Sequence, residues 1–353
     1  MFESYKNVLK RGGSHLMTSL RAIIFAVLTG IVLGFVGTAF YYGMQTVTAM
    51  RLDHPWLILF LPLAGVLIVW LYHLLHDEKD TGTNLVLSAI HSNENIPLRM
   101  APLIFIATLL THLFGGSAGR EGAALQLGGS IGNSLGKLFH FDEKDQHIMI
   151  MCGMSAAFSA LFGTPLAAAV FSMEVVSVGI MHYSALVPCV IASLTAHGIA
   201  SACGIAPEIF PIASIPAFTA KNALIIGIFA VLCALVSILF CTTLHNAERL
   251  YKRFFKNPYV RALAGGLIVI GLTMLVGNQT YNGTGMNIIT GCMEGKTVFP
   301  LAFLLKMVFT AATLGAGYKG GEIVPTLFIG STFGTFFASA FGCSIPLCAA
   351  VGM

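Results

Sequence analysis

Two glutamates lie between glycines in otherwise apolar parts of this sequence, and their carboxylates are the groups most able to do chemistry. Glu121 stands in Gly119–Ala123 (GREGA), and Glu322 stands in Gly320–Pro325 (GGEIVP). A charge at the centre of a bilayer costs roughly 2.5–3.5 kcal/mol on insertion scales, so such residues are rare and functional by default. A carboxylate can also take up and release a proton, so both glutamates are candidates for chemistry inside the membrane.

Each glutamate has a basic neighbour that offers a purely structural alternative. Arg120 directly precedes Glu121, and Lys319 lies shortly before Glu322. Either pair could be an ion pair that fixes a loop. Residues adjacent in sequence rarely face each other on a helix, which favours the functional interpretation of Glu121. For Glu322, the rule that intramembrane carboxylates are functional favours a functional role over an ion pair.

The elements that must position these glutamates are membrane helices. Hydrophobic residues make up 56% of the 353 residues and charged residues only 10%, whereas a soluble domain has about 25% charged residues. Several apolar runs reach the roughly 20 residues that cross a hydrocarbon core, while others are short or interrupted by Gly and Pro. These mixed lengths predict an all-α integral membrane protein of tilted, broken and re-entrant helices, surrounded by a lipid bilayer.

The basic residues indicate an orientation and argue against a nucleic-acid partner. The formal net charge is +4, and the basic residues gather between the apolar runs. The densest group is Glu248–Arg261 (ERLYKRFFKNPYVR), which we expect to be a loop, and the N-terminus is also basic. By the positive-inside rule both face the cytoplasm of a multi-pass protein of the cell membrane. The first apolar run is too long for a cleaved signal peptide, so we interpret it as the first span.

Metal, cofactor and enzyme chemistry find little support in the sequence. Eight cysteines are scattered through apolar segments without a CxxC pair, and no histidines cluster at metal-ligand spacing. We therefore predict no metal site and no cofactor. An intramembrane hydrolase would need a nucleophile–base pair or a set of metal ligands, and no HExxH motif occurs. We do not expect an enzyme.

The two halves of the chain resemble each other around the glutamates. Gly82 lies 39 residues before Glu121, and Gly283 lies 39 residues before Glu322. A Gly-studded apolar run follows each glutamate, although close helix packing would also explain the glycines. Transporters built from inverted repeats bind their substrate between broken helices of the two halves. We therefore predict two repeats of a membrane domain, residues 1–205 and residues 206–353.

The second repeat stops early. In the first half a helix pair follows Glu121, and the chain ends where the counterpart of that pair should begin. We therefore expect the sequence to be a fragment that lacks some site residues.

Three motifs in order resemble the CLC family of chloride channels and anion/proton antiporters. They are the GREGA segment, the segment Gly153–Glu174 (GMSAAFSALFGTPLAAAVFSME) and the GGEIVP segment. The resemblance implies a CLC-type inverted-repeat bundle, paired as a homodimer with a separate pore in each chain. It also implies that helix N-termini converge on a halide anion, because free N–H groups and the helix dipole favour negative charge there.

The resemblance also assigns roles to individual residues. Glu121 is expected to be the gating glutamate, which occupies an anion site when deprotonated and swings away when protonated. Glu322 is expected to relay protons. The expected anion-binding residues are Gly119, Arg120, Gly122, Gly321, Ile323, Val324, Thr83, Asn84 and Thr326.

Three departures from the chloride transporters favour fluoride as the substrate. The loop Asp80–Ile90 (DTGTNLVLSAI) lacks the serine and proline of those proteins and offers Thr83 and Asn84 instead. Val175 replaces the second glutamate that transfers protons internally in chloride/proton antiporters. Glu322 stands beside the pore backbone, as in the fluoride/proton antiporter subclass. We therefore predict fluoride/proton antiport that exports fluoride, with a chloride channel or chloride/proton antiporter of the same family as the alternative.

Overall fold

The chain is built from helices in the computed structural model, which describes residues 2–76, 82–92, 96–176, 179–213, 215–217 and 219–353, without the side chains of residues 2–19, 83, 84, 91, 92 and 144. The helices of the described ranges are α1 Phe2–Asp53, α2 Leu61–Leu74, α3 Thr83–Ser92, α4 Met100–Leu113, α5 Glu121–Leu138, α6 Glu143–Phe162, α7 Pro165–Glu174, α8 Leu186–Ala202, α9 Ala220–Phe254, α10 Pro258–Val276, α11 Met286–Met293, α12 Ala302–Gly315, α13 Ile323–Phe341 and α14 Ile345–Gly352. Short 3₁₀ helices occupy Pro55–Phe60 and Tyr183–Ala185. The all-α prediction is confirmed.

The helices differ in length as their apolar runs predict. Six of the described helices are long and apolar enough to cross a membrane, among them the 35-residue α9. By contrast, α4 and α12 have 14 residues each, and α7 has 10. At 1.5 Å per residue a 14-residue helix is about 21 Å long, less than the roughly 30 Å of the hydrocarbon core. Short helices of this kind can end inside a membrane protein, where other protein covers their free backbone groups.

The basic stretch Glu248–Arg261 is mostly helical, so the loop prediction is wrong in its extent. α9 runs on to Phe254, and α10 begins at Pro258. Lys252 forms an ion pair with Glu248 one turn earlier, at 2.5 Å. Basic side chains in a last helical turn interact favourably with the negative end of the helix dipole, which lets the helix continue through them.

The described chain divides into two compact units. One comprises Met1–Tyr42, Asp80–Pro102 and Ala124–Glu208, and the other comprises Gly43–Lys79, Leu103–Ala123 and Ile209–Met353. Both units combine separate stretches of sequence. They therefore do not test the predicted repeats, which stay a prediction.

In the first unit, α6 packs along α8, and α7 packs against both. The Ser155 hydroxyl donates to the carbonyl of Cys189 at 3.1 Å. One turn later the Ser159 hydroxyl donates to the carbonyl of Ser193 at 2.9 Å. Small side chains let membrane helices approach closely, and hydroxyls then bond across the interface.

Close packing also explains part of the glycine run after Glu121. A Cβ atom built on Gly153 of α6 would collide with the backbone carbonyl of Gly128 of α5. These two glycines therefore allow α5 and α6 to pack closely, which is the alternative explanation that the sequence offered for the glycines.

The second unit contains most of the aromatic core. α12 packs against α9, α10 and α13, while α13 also packs against α11 and α14. The buried rings of Phe229 and Phe333 stack with their centroids 5.7 Å apart, and those of Tyr281 and Phe309 lie 5.5 Å apart. Helices α12 and α13 are thereby fixed in place from several sides.

Element bounds recur along the chain with a constant shift. α12 begins and ends 202 residues after α4, at 302 against 100 and at 315 against 113. α13 begins 202 residues after α5, at 323 against 121. This regularity supports the predicted repeat but corrects its register, because Glu322 corresponds to Arg120 rather than to Glu121. The segment from Gly283 to α12 is one residue longer than the segment from Gly82 to α4, which explains the misleading 39-residue spacing.

Candidate functional site

Two loops of the second unit meet where α5 and α13 begin. The Gly119 N–H donates to the carbonyl of Gly321 at 2.6 Å, and the Gly321 N–H donates to the carbonyl of Gly119 at 2.8 Å. This antiparallel bridge is the only pairing of the β type among the described residues. α5 starts two residues after one glycine, at Glu121, and α13 starts two residues after the other, at Ile323. Two helix starts, each with free N–H groups, are thus brought together.

The Glu121 carboxylate occupies this meeting point. Its side chain is 1% exposed, and Oε2 accepts a hydrogen bond from the Val324 N–H at 3.3 Å. The backbone N–H groups of Arg120 and of Glu121 itself also form hydrogen bonds with the carboxylate. We call the N–H groups of Arg120, Glu121 and Val324 the amide nest. Oε1 has no hydrogen-bond partner among the described residues, so the nest holds the carboxylate as it would hold an anion.

The backbone can approach the carboxylate this closely because residues 119 and 321 are glycines. A Cβ atom on Gly321 would lie 2.6 Å from Glu121 Oε2 and 2.7 Å from the backbone nitrogen of Gly122. A Cβ atom on Gly119 would come still closer to the same oxygen. Any other residue would push the carboxylate or the opposite loop away.

Glu322 and Thr326 lie on the second loop and on the first turn of α13, and both side chains are exposed. Glu322 is the N-cap residue of α13, and its side chain makes no capping hydrogen bond. Its backbone carbonyl accepts the N–H of Thr326 at 2.9 Å and the Thr326 hydroxyl at 2.8 Å. The Thr326 hydroxyl is therefore engaged within its own helix, while the Glu322 side chain is exposed.

The basic neighbours of the two glutamates keep the alternatives of an ion pair open. The Lys319 ammonium lies 4.3 Å from the centroid of the Tyr72 ring. Arg120 lies directly before Glu121, and its charge acts on the Glu121 carboxylate. The functional roles of Glu121 and Glu322 therefore stay predictions.

The remaining predicted residues are placed as follows. Ile323 is the half-buried first residue of α13, and Val324 is buried and supplies an amide of the nest. Thr83 and Asn84 begin α3, but their side chains lie outside the described part of the structure. Among the residues that the structure does describe, no group of three or more His, Cys, Asp or Glu side chains is arranged to hold a metal ion.

Sequence reasoning missed Lys306, which lies in the middle of α12. Its side chain is fully buried, and Nζ donates to the carbonyls of Gly283 at 2.7 Å and Tyr281 at 3.2 Å. The signal was present in the sequence, because a lysine inside the apolar run LAFLLKMVFTAATLGAG is itself an intramembrane charge. The two glutamates were easier to recognise as site residues because glycines flank them.

Comparisons with known proteins match this architecture. Residues 64–353 match the family model described as voltage gated chloride channel. The chain is 34% identical to a chloride/fluoride channel protein of Pseudomonas syringae pv. tomato, over 94% of this chain and 74% of that protein. It is similar to the crystal structure of a CLC-type fluoride/proton antiporter, with a TM-score of 0.90 and 35% identity over 94% of this chain and 85% of that one. A slow cyanobacterial Cl⁻/H⁺ antiporter has a TM-score of 0.79 at 19% identity, over 94% and 83% of the two chains, which shows the fold alone.

Proposed function

Because this chain belongs to the voltage-gated chloride channel family, we propose that it is a secondary transporter that exports fluoride in exchange for protons. The observation that carries the proposal is the buried Glu121 carboxylate, whose Oε2 accepts the Val324 N–H at 3.3 Å. A carboxylate and a halide ion carry the same charge, so the amide nest can hold either of them. Proton binding neutralises the carboxylate and frees the nest for the anion.

Fluoride is favoured over chloride by the similarity and by the loop before α13. The chain is 35% identical to a solved fluoride/proton antiporter but only 19% identical to a solved chloride/proton antiporter. Glu322 stands beside the nest, where it can pass protons, and Val175 leaves no carboxyl at the position that the resemblance links to internal proton transfer. Fluoride is small and strongly hydrated, and compact N–H donors suit it.

The other site residues complete the proposed anion path. Gly119, Gly122 and Gly321 give the anion access to the backbone, Ile323 and Val324 supply amides, and Arg120 supplies positive charge. Thr83, Asn84 and Thr326 are proposed as polar contacts along the path, and the Thr326 hydroxyl would turn away from the Glu322 carbonyl to donate to the anion.

We further propose how the protein is arranged in the membrane. The chain is a multi-pass membrane protein, with six described helices that can span a bilayer. Within the lipid bilayer of the cell membrane, two copies pair as a homodimer, and each copy carries its own path. The N-terminus and the basic end of α9 face the cytoplasm, as the positive-inside rule predicts. Residues 1–205 and 206–353 form the two repeats, which the 202-residue shift of α12 and α13 supports.

Flux measurements test the proposal. Liposomes containing the purified protein are loaded with fluoride or chloride, and anion efflux is followed with electrodes while a dye reports internal pH. We expect fluoride to leave at least tenfold faster than chloride, with proton uptake that acidifies the interior. Equal rates for the two anions would favour the chloride alternative, and fluoride efflux without proton uptake would favour a channel. The variant Glu121→Gln should still bind fluoride but should lose proton coupling.

A further inference from the structure

Lys306 is a buried cation that the transport proposal leaves without a role. The side chain is 0% exposed within apolar α12, and its ammonium lies 5.2 Å from the centroid of the Phe328 ring of α13. The hydrogen-bond acceptors found for it in the described part of the chain are two backbone carbonyls. A buried charge that lacks a carboxylate partner is expensive and usually functional.

The carbonyls that bind Lys306 belong to a segment attached to the loop before Glu121. The Gly283 carbonyl accepts from Lys306 Nζ at 2.7 Å, and the Gly283 N–H donates to the Gly116 carbonyl at 3.0 Å. Beside it, the Asn282 side-chain amide donates to the Gly115 carbonyl at 2.7 Å. A continuous set of hydrogen bonds therefore runs from the ammonium to the loop that leads into α5.

The same face of α12 holds that loop directly. Thr310 and Thr313 lie four and seven residues after Lys306, so all three side chains share one side of the helix. The Thr313 hydroxyl accepts the Ser117 N–H at 3.0 Å, and the Thr310 hydroxyl lies 3.1 Å from the Ser117 hydroxyl. The Lys306 ammonium thus holds the segment at Gly283, and the two hydroxyls of α12 hold the loop before Glu121.

The charge balance around Lys306 depends on Glu121. Arg51 lies at the same segment, because a Cβ atom built on Gly283 would be 2.9 Å from an Arg51 guanidinium nitrogen, and the buried Glu121 carboxylate offers negative charge at the nest. If Glu121 binds a proton or leaves the nest, buried positive charge remains without its counter-charge. A halide ion in the nest would restore the balance.

We propose that Lys306 is a positioning residue, which holds the amide nest through the segment at Gly283 and whose charge retains a halide ion there once Glu121 is neutral. This inference rests on the proposed function, because it assumes that the nest is the anion site.

Halide binding to four variants tests the inference. In the whole chain carrying Glu121→Gln, calorimetric titrations with sodium fluoride and sodium chloride compare Lys306→Arg, Lys306→Met and Lys296→Met with the parent. We expect Lys306→Met to weaken halide binding at least tenfold and Lys306→Arg to change it less than threefold. Lys296→Met is the matched control, because Lys296 is exposed and paired with Glu294 at 2.7 Å, so we expect no change.

The outcomes separate this inference from the proposed function. Folded Lys306→Met protein that binds halide like the parent would overturn the inference, as would Lys306→Arg losing as much affinity as Lys306→Met. A parent that binds chloride but not fluoride would end the fluoride proposal, and the same variants would still decide the role of Lys306. A parent that binds neither ion would overturn both.

A second measurement covers the case in which Lys306→Met does not fold. Hydrogen exchange of the Glu121→Gln parent should show that fluoride, or chloride if that is the halide bound, slows exchange at residues 281–285 as well as at residues 119–122. Slowing confined to residues 119–122 would show that the Lys306 segment does not respond to the anion and would overturn the inference.

Discussion

At the scale of single residues, the contact between Glu121 and Val324 bears on the proposed exchange of the carboxylate for an anion. The Val324 N–H lies 3.3 Å from Oε2, beyond the usual 2.7–3.2 Å of such bonds, and Oε1 has no partner among the described residues. A carboxylate is a large, flat anion held at one edge. A small spherical anion can come closer to several N–H groups at once, which is the geometric basis for the proposed replacement of the side chain by fluoride.

Gly321→Ala should reduce fluoride transport and fluoride affinity at least tenfold. The new Cβ atom would lie 2.6 Å from Glu121 Oε2 and 2.7 Å from the Gly122 nitrogen, so it would occupy the space of the anion. Liposome efflux and calorimetry measure the two quantities. The matched control is Gly271→Ala in α10, where a Cβ atom meets nothing within 4 Å. There we expect unchanged transport and up to about 1 kcal/mol of added helix stability. Unchanged affinity in Gly321→Ala would place the anion elsewhere.

Glu322→Gln should lower the number of protons moved per fluoride ion while changing fluoride affinity less than threefold. The side chain is exposed and makes no capping bond, so its loss should leave the nest intact. Simultaneous recording of fluoride efflux and internal pH gives the ratio. Glu248→Gln, which removes an exposed glutamate from the ion pair with Lys252, should leave the ratio unchanged. An unaltered ratio in Glu322→Gln would remove this residue from the proton path.

The sequence predicts some of these residues well and others poorly, for identifiable reasons. Glu121 could be found because glycines mark both the helix start and the close approach of the backbone. The correspondence of Glu322 with Arg120 could not be predicted. It depends on one extra residue between Gly283 and α12, which only the helix bounds reveal. The partners of Lys306 are main-chain carbonyls, which carry no residue type for a pattern to detect.

At the scale of elements, α12 acts as a support for loops that come from distant parts of the sequence. Its Lys306, Thr310 and Thr313 side chains direct polar groups at the loop before Glu121 and at the segment around Gly283, while the helix also packs against α9, α10 and α13. A helix of about 21 Å cannot serve as a span by itself. Its length suits a support that begins and ends within the protein.

Thr313→Val should destabilise the protein by about 1–3 kcal/mol, because the buried Ser117 N–H loses its acceptor. Equilibrium denaturation in detergent micelles measures the free energy of unfolding. Thr242→Val is the control, because the Thr242 hydroxyl is exposed and donates to a carbonyl of its own helix. We expect that control to change stability by less than about 0.5 kcal/mol. Equal stability of the two variants would show that water or another group replaces the lost acceptor.

Element types followed from composition, but several boundaries did not. The run WLILFLPLAGVLIVWLYHLL belongs to one candidate span, Pro55–Leu74, as its composition predicts, but its first part, Pro55–Phe60, is a 3₁₀ helix and α2 begins only at Leu61. The proline has no N–H to donate, so the first turn can adopt the tighter geometry without losing a bond. Likewise, the basic stretch after Glu248 continues α9 because its charges favour a helix C-terminus.

At the scale of the whole molecule, the proposed orientation can be tested across α10. This helix has 19 residues, about 28 Å, so Lys256 before it and Asn278 after it should lie on opposite sides of the membrane. Both residues are exposed. In a background without the eight native cysteines, a membrane-impermeant maleimide added to intact cells should label Asn278→Cys. It should label Lys256→Cys only after permeabilisation, and the reverse pattern would invert the orientation.

The general fold could be predicted from the sequence because few backbone structures can span a lipid bilayer. Low charge and long apolar runs leave a helical membrane protein as the expected answer, and the motifs GREGA and GGEIVP indicated the CLC family to which the chain belongs. The 14 residues of α4 and of α12 are less visible, because apolar residues continue directly beyond the C-terminus of each helix. Only the glycine-rich loops show where these short helices stop.

The reciprocal bridge between Gly119 and Gly321 has a consequence for biosynthesis. The ribosome adds Gly321 about two hundred residues after Gly119. At the usual rate of translation this interval lasts roughly ten seconds or more. Until Val324 has left the exit tunnel, the Glu121 carboxylate has no partner across the bridge and must wait in the translocon, in lipid or against other protein. A nascent chain can therefore be inserted, threaded and largely helical while it still lacks any place for an ion.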